Sequence, residues 1–235
     1  MTTHILATGT SRGIGAAIAG AFASDDVRLV GHSTKGSNSD IAADLSDADA
    51  TRALWWDAMA RLDGRIDILI NNAGIFEAAP IDQSDDAWLD AWERTMRINL
   101  SAAAELSRLA VLHFHEKGGG RIVNMASRAA YRGDSPAHWH YAASKAGMVA
   151  MTKSIARGYA RDNILAFAVC PGFTMTGMAD DYLASRGGEA LLADIPLGRV
   201  AEPAEVAAAV RFLALEAPAS MTGAVLDING ASYVR

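Results

Sequence analysis

The chain has 235 residues, of which 51% are hydrophobic and 20% charged, an apolar content that excludes intrinsic disorder. Its formal charge is −6, from 21 Lys+Arg against 27 Asp+Glu, so no basic excess is available to attract nucleic-acid phosphates or an anionic lipid surface. No apolar run approaches the roughly 18 residues of a membrane span, and neither nucleic acid nor a membrane is expected as a partner.

The one cysteine, Cys170, cannot close an intrachain disulfide and has no second thiol with which to share zinc, which suits a reducing compartment. Met1-Thr2-Thr3-His4 leads into a short apolar segment broken by Gly9 and does not read as an export signal. A soluble cytoplasmic protein is expected.

In chain order, short apolar runs bounded by turn residues at 4–8, 27–32, 66–70, 121–125, 164–170 and 224–228 predict buried strands. Between them, Ala-rich stretches at 13–24, 48–62, 85–115, 140–160 and 204–215 predict helices. Ile41-Ala42-Ala43 adds a short strand, but the stretch before it, 33–40, is too short and Gly/Ser-rich for a full crossover helix. Asp25 and Asp26 mark a turn, and Gly118-Gly119-Gly120 reads as a helix stop ahead of a strand. Strands that are apolar throughout, alternating with helices, imply an α/β fold: a doubly wound parallel sheet flanked by helices. With no repeat or long linker, residues 1–235 are read as a single domain.

Directly after the first strand, Thr8-Gly9-Thr10-Ser11-Arg12-Gly13-Ile14-Gly15 opens onto a helix. Glycines let backbone approach a pyrophosphate, and the unpaired N–H groups of a helix start attract its charge. Two readings stand, a dinucleotide site or a tight turn that binds nothing, because the spacing is G-x-x-x-G-x-G and not G-x-G-x-x-G. An acidic residue ending the second strand would accept an NAD ribose hydroxyl. Here that strand runs into His32-Ser33-Thr34-Lys35, with Arg12 in the turn. A 2′-phosphate would meet donors and positive charge, so NADP is favoured and NAD is possible; solvated surface charge is the alternative for Arg12 and Lys35.

Tyr141-Ala142-Ala143-Ser144-Lys145 places a phenol and an ammonium at i and i+4 on one helix face. A neighbouring ammonium would lower the phenol's pKa and fit it for proton exchange, although a plain surface contact has the same spacing. Ser127 follows the strand 121–125, at the carboxyl edge where such sheets carry function; its hydroxyl could bond a carbonyl oxygen or merely cap a turn.

Together, Thr8 to Gly15, Asn71-Asn72-Ala73-Gly74, Ser127, Tyr141-x-x-x-Lys145 and Pro171-Gly172 resemble the short-chain dehydrogenase/reductase family, from His4 to Gly230. Members similar to 3-oxoacyl-(acyl-carrier-protein) reductase are the commonest likeness. The resemblance implies a Rossmann-like NAD(P)-binding fold and an oxidoreductase acting on a carbonyl or secondary alcohol. In it Tyr141 is the general acid or base, Ser127 polarises the oxygen, Lys145 also holds the nicotinamide ribose, and Asn99 anchors a water that links the lysine to solvent.

The same resemblance makes Gly9, Ser11, Arg12, Gly13, Ile14, Gly15, His32 and Ser33 cofactor-binding, with Asn72, Ala73 and Gly74 shaping the pocket and Asp44-Leu45 at the adenine edge. Pro171, Gly172 and Thr174 form the nicotinamide loop, and 175–196 a substrate lid, with Met175, Met178 and Tyr182 as a candidate apolar wall. A homo-oligomer, dimer or tetramer, is implied through the helices 85–115 and 140–160. Two departures stand out: the serine-to-tyrosine interval is 14 positions where 13 is usual, and the segment after the second strand is shortened.

Tyr131, Arg132, His138, Trp139 and His140 lie between Ser127 and Tyr141, so some should border the substrate. The two histidines have no carboxylate or thiol companion at fixed spacing, and no metal site is expected. Trp55, Trp56, Trp88 and Trp92 are read as packing or subunit-contact residues. A regulatory protein that keeps the cofactor but has lost turnover is the alternative function. Its hallmark would be a missing catalytic member.

Overall fold

A computed structural model describes residues 2–24, 26–37, 40–175 and 188–235. Their strands, β1 (Thr3–Thr8), β2 (Val27–Ser33), β3 (Asp40–Ala42), β4 (Ile68–Asn71), β5 (Gly120–Met125), β6 (Ile164–Pro171) and β7 (Val225–Ile228), form one sheet. Its order is β3-β2-β1-β4-β5-β6-β7, with every pairing parallel. The order reverses beside β1, so the fold is the expected doubly wound, Rossmann-like α/β sheet. All eight residues of β6, ILAFAVCP, are buried, as a strand covered on both faces requires.

Successive residues of β1 point to opposite faces. Leu6 joins a core with Leu54, Trp55, Leu106 and Phe114 of α2 (Ala48–Arg61) and α4 (Ala102–Lys117). Ile5 joins another with Ile18 of α1 (Gly13–Ala21) and Val206 and Val210 of α8 (Pro203–Arg211). Among the described residues the remaining α-helices are α3 (Asp85–Met96), α5 (Ala129–Arg132), α6 (Trp139–Tyr159) and α7 (Gly188–Ala193). Local chemistry sets their ends. The Asp47 carboxylate caps α2 at the amides of Asp49 and Ala50, and Gly118 closes α4 in the left-handed region at φ 83°, where glycine has no Cβ to clash.

Two predicted boundaries need correction. The helix expected over 85–115 is interrupted by a π turn, Arg97–Ser101, in which the Ala102 amide reaches back to the Arg97 carbonyl. A second π turn, Phe212–Glu216, ends the helix expected over 204–215. The abbreviated link between β2 and β3 is as expected: two parallel strands are joined without a helix, against the dozen or so residues such a crossover ordinarily takes. Among the described residues no helix is long and apolar enough to cross a membrane. Asp25, Met178 and Tyr182 lie outside the described residues.

Candidate active site

The glycine turn connects β1 to α1 and is braced from both sides. Gly9 and Gly13 have φ of 71° and 54°, values that L side chains resist. From β4, the Asn72 amide donates to the carbonyls of Thr8 and Gly9 at 2.9 Å each. The Thr8 hydroxyl oxygen accepts from the backbone of Asn72 and Ala73 at 3.0 Å. A Cβ on Gly9 would lie 2.8 Å from Ala73 Cα. Asn72 and Ala73 therefore hold the turn's shape. The first turn of α1 has no side-chain cap, so its amides remain available to an anion, and Ser11 and Arg12 are exposed beside it. Ile14 is half-buried against the α1 core. The cradle suits a dinucleotide's phosphates.

His32 is a correction. Its Nδ1 accepts the Gly9 amide at 3.2 Å and its Nε2 bonds the Ala43 carbonyl at 2.9 Å, which assigns the proton to Nε2. Burial lowers its pKa, so the buried ring carries no spare donor or positive charge for a phosphate. It props the turn from beneath. Ser33 is buried beside it, its carbonyl accepting from Gly36 and Ala43. Asp44 is exposed at the rim and accepts the Ser46 amide at 2.9 Å, while Leu45 packs into the core.

At the carboxyl ends of β4 and β5 the structure brings Ser127, Tyr141, Lys145 and Asn99 together. The Ser127 side chain lies close enough to Tyr141 to favour its phenolate, and its oxygen accepts the Ala129 amide at 3.1 Å. Between serine and tyrosine run α5 and the loop after it, where Gly133 has φ 76°. Lys145 Nζ lies 5.7 Å from the Tyr141 ring centre and donates to the Met125 carbonyl at 2.8 Å. A Cβ on Gly74 would sit 3.3 Å from Asn99 Oδ1 and 3.4 Å from Lys145 Nζ, so both reach the same shelf.

Asn99 is fully buried in the π turn. Its Oδ1 accepts the Ile75 amide at 2.8 Å, and its Nδ2 donates to the Ile75 carbonyl at 2.9 Å and to Ser144 Oγ at 3.3 Å. Two residues earlier, Arg97 grips Glu105 and donates to Thr51 Oγ1 at 3.0 Å and the Leu45 carbonyl at 3.3 Å.

Lysine does not pull the phenol's pKa down, as the spacing suggested. Burial pushes Tyr141 up to about 12, opposed only in part by the nearby Ser127 side chain, and burial pulls Lys145 down to about 8. Tyr141 is half-buried, and with its pKa raised the phenol keeps its proton at neutral pH.

Opposite these groups, the Pro171 carbonyl accepts the Arg128 amide, and Gly172 packs so closely on Asn229 that a Cβ would come within 2.9 Å. The buried Thr174 hydroxyl donates to the Gly172 carbonyl at 3.3 Å. Of the loop residues, His138 stacks on Phe76 at 4.0 Å between ring centres, and Phe76 meets Tyr141 edge-on at 4.8 Å. Trp139 is exposed and His140 buried. Tyr131 turns away to stack on Tyr233 and beneath Arg235. Trp55 fills the core against His113, and Trp88 stacks on Trp92, whereas Trp56 is exposed. Sequence reasoning missed Phe76, which no motif marks, and Arg128, whose place next to Ser127 was the available signal.

Comparison with known proteins decides the lineage. The family described as enoyl-(acyl carrier protein) reductase matches residues 9–231. A D-threitol dehydrogenase of Mycolicibacterium smegmatis is 35% identical, across 98% of this chain and 92% of its own length. A 3-oxoacyl-(acyl-carrier-protein) reductase of Vibrio cholerae is also 35% identical, across 97% and 96%. The chain belongs to the short-chain dehydrogenase/reductase family. It is an oxidoreductase of that family. Another similar protein, an acetoacetyl-CoA reductase of an Acinetobacter species, is 36% identical over 83% of this chain and 76% of its own.

Proposed function

We propose that this dehydrogenase/reductase moves a hydride between NADP(H) and a carbonyl or secondary-alcohol substrate, with Tyr141 as acid in reduction and base in oxidation. The observation that carries the reading is the gathering of Ser127, Tyr141 and a buried Lys145 at the carboxyl ends of β4 and β5. Bound along the glycine turn, the reduced dinucleotide would supply the hydride. In reduction, Ser127 donates to the substrate oxygen as negative charge builds on it. Tyr141, which holds its proton at neutral pH, delivers that proton to the same oxygen. Lys145 then stabilises the phenolate and, through the shelf shared with Asn99, binds the ribose. In oxidation the phenolate takes the hydroxyl proton back. The names of the relatives support a small hydroxylated or acyl substrate, and exposed Leu112 and Trp139 on α4 and α6 suit contact with a second copy.

The reading is tested by following NADPH oxidation against a panel of ketones, with turnover expected for at least one. Absence of hydride transfer across aliphatic, cyclic, sugar and thioester ketones would contradict it. Cofactor choice is tested by fluorescence titration. NADPH should bind more tightly than NADH, and Arg12→Ala should weaken NADPH by about tenfold while scarcely changing NADH. Tighter NADH binding would reverse the assignment.

The lysine makes a pH prediction. Its ammonium is present below about pH 8 and lost above it, so kcat/KM for NADPH, which reports groups in the free enzyme, should fall as pH rises through about 8. Lys145→Arg stays charged and should show no such limb. A wild-type profile level from about pH 7 to about pH 10 would exclude a role for the ammonium in taking up the cofactor.

A further inference from the structure

Arg128 places a second buried cation, besides Lys145, at the carboxyl edge of the sheet. Its amide donates to the Pro171 carbonyl at 3.0 Å, which fixes it over the carboxyl ends of β5 and β6, where ligands of such sheets bind. Its guanidinium carbon lies 4.8 Å from the centre of the Phe173 ring, so stacking orients the fork. The side chain is 11% exposed. A guanidinium carries five N–H donors, yet among the described residues its hydrogen-bond acceptor is one oxygen of Asp194, at 3.5 Å.

That oxygen is shared. Arg132 takes it at 2.6 Å, although the Arg132 side chain is 35% exposed and Asp194 46% exposed. One carboxylate thus answers two guanidiniums, and the shorter bond goes to the one that water already reaches. Asp134 as well as Asp194 attracts Arg128, and Arg132 repels it. A charge-assisted bond to an arriving anion is stronger than one to a neutral partner, and the guanidinium fork matches a planar or tetrahedral oxyanion.

We propose that Arg128 anchors the substrate through an oxyanion, a carboxylate or phosphate carried on the same molecule as the reacting carbonyl. Asp194 holds the guanidinium until that group displaces it. The proposal rests on the reading of the site as a carbonyl reductase and names its substrate class.

The test pairs each anion with a neutral counterpart. Oxo carboxylic acids of increasing length are compared with their methyl esters, and dihydroxyacetone phosphate with dihydroxyacetone, by calorimetry with NADPH present and by NADPH oxidation. At least one anion should exceed its neutral counterpart by about tenfold or more in affinity and kcat/KM, and the two sets separate carboxylate from phosphate. Arg128→Gln should bring that ratio close to one. Asp194→Asn, which removes the internal competitor at an exposed position, should raise it, and decides the matter alone if the Arg128 variant does not fold.

Neutral compounds used as well as anions, or an Arg128→Gln loss equal on both, overturns the anchor and leaves the reductase reading standing. A rise confined to the KM for NADPH overturns it too. Anions that bind with an Arg128-dependent preference but are never reduced overturn the reductase reading and leave the anchor.

Discussion

Tyr141→Phe should lower the rate of carbonyl reduction by about 10²–10⁴-fold, the contribution typical of a positioned proton donor. The substitution removes one oxygen and keeps the ring that meets Phe76 edge-on at 4.8 Å and lies 5.7 Å from Lys145 Nζ. Packing and the thermal midpoint should therefore change little, and NADPH affinity far less than turnover. Neither Ser127 nor Lys145 can replace the oxygen removed: the serine has to donate to the substrate oxygen, and the lysine is turned to the Met125 carbonyl. A variant that reduces the same ketone within about threefold of the wild-type rate would dismiss Tyr141 as proton donor, since a true donor contributes far more.

Gly15→Ala should abolish tight cofactor binding and destabilise the fold together. A methyl group there would sit 1.8 Å from the Gly9 carbonyl oxygen and 2.6 Å from Asn72 Nδ2, and the obstacle is backbone that Asn72 already bonds at 2.9 Å. Relief requires moving the turn itself, at about 1–3 kcal/mol or more for overpacking. The moved turn would lose about 100-fold in NADPH affinity, close to 3 kcal/mol. Gly20 supplies the control on the same helix. Nothing lies within 4 Å of a Cβ there, so Gly20→Ala should leave binding unchanged and raise stability by about 0.5–1 kcal/mol. Thermal melts and fluorescence titration of the two variants decide the matter. If Gly15→Ala behaves like Gly20→Ala, the close packing beneath the turn has no bearing on the cofactor.

The sheet was legible because a strand buried on both faces must be apolar from end to end, and 164–170 and 66–70 announce themselves that way. The reactive cluster was legible because short motifs keep Ser127, Tyr141 and Lys145 at strand ends and on one helix turn. Three things were not. The π turn within 85–115 depends on Asn99 reaching Ile75, a contact between distant segments that periodicity does not register. His32 looked like a rim donor because its place at a strand end says nothing of which way the ring faces. The phenol's raised pKa comes from burial, which follows from the completed fold rather than from the i, i+4 spacing.

The π turn also has a mechanical meaning. Arg97 and Asn99 stand two positions apart in the turn, a spacing at which side chains do not share a helix face. One grips the rim at Leu45 and Thr51; the other grips Ile75, beside the shelf of Lys145. A single wound segment thus ties the two ends of the groove to one another.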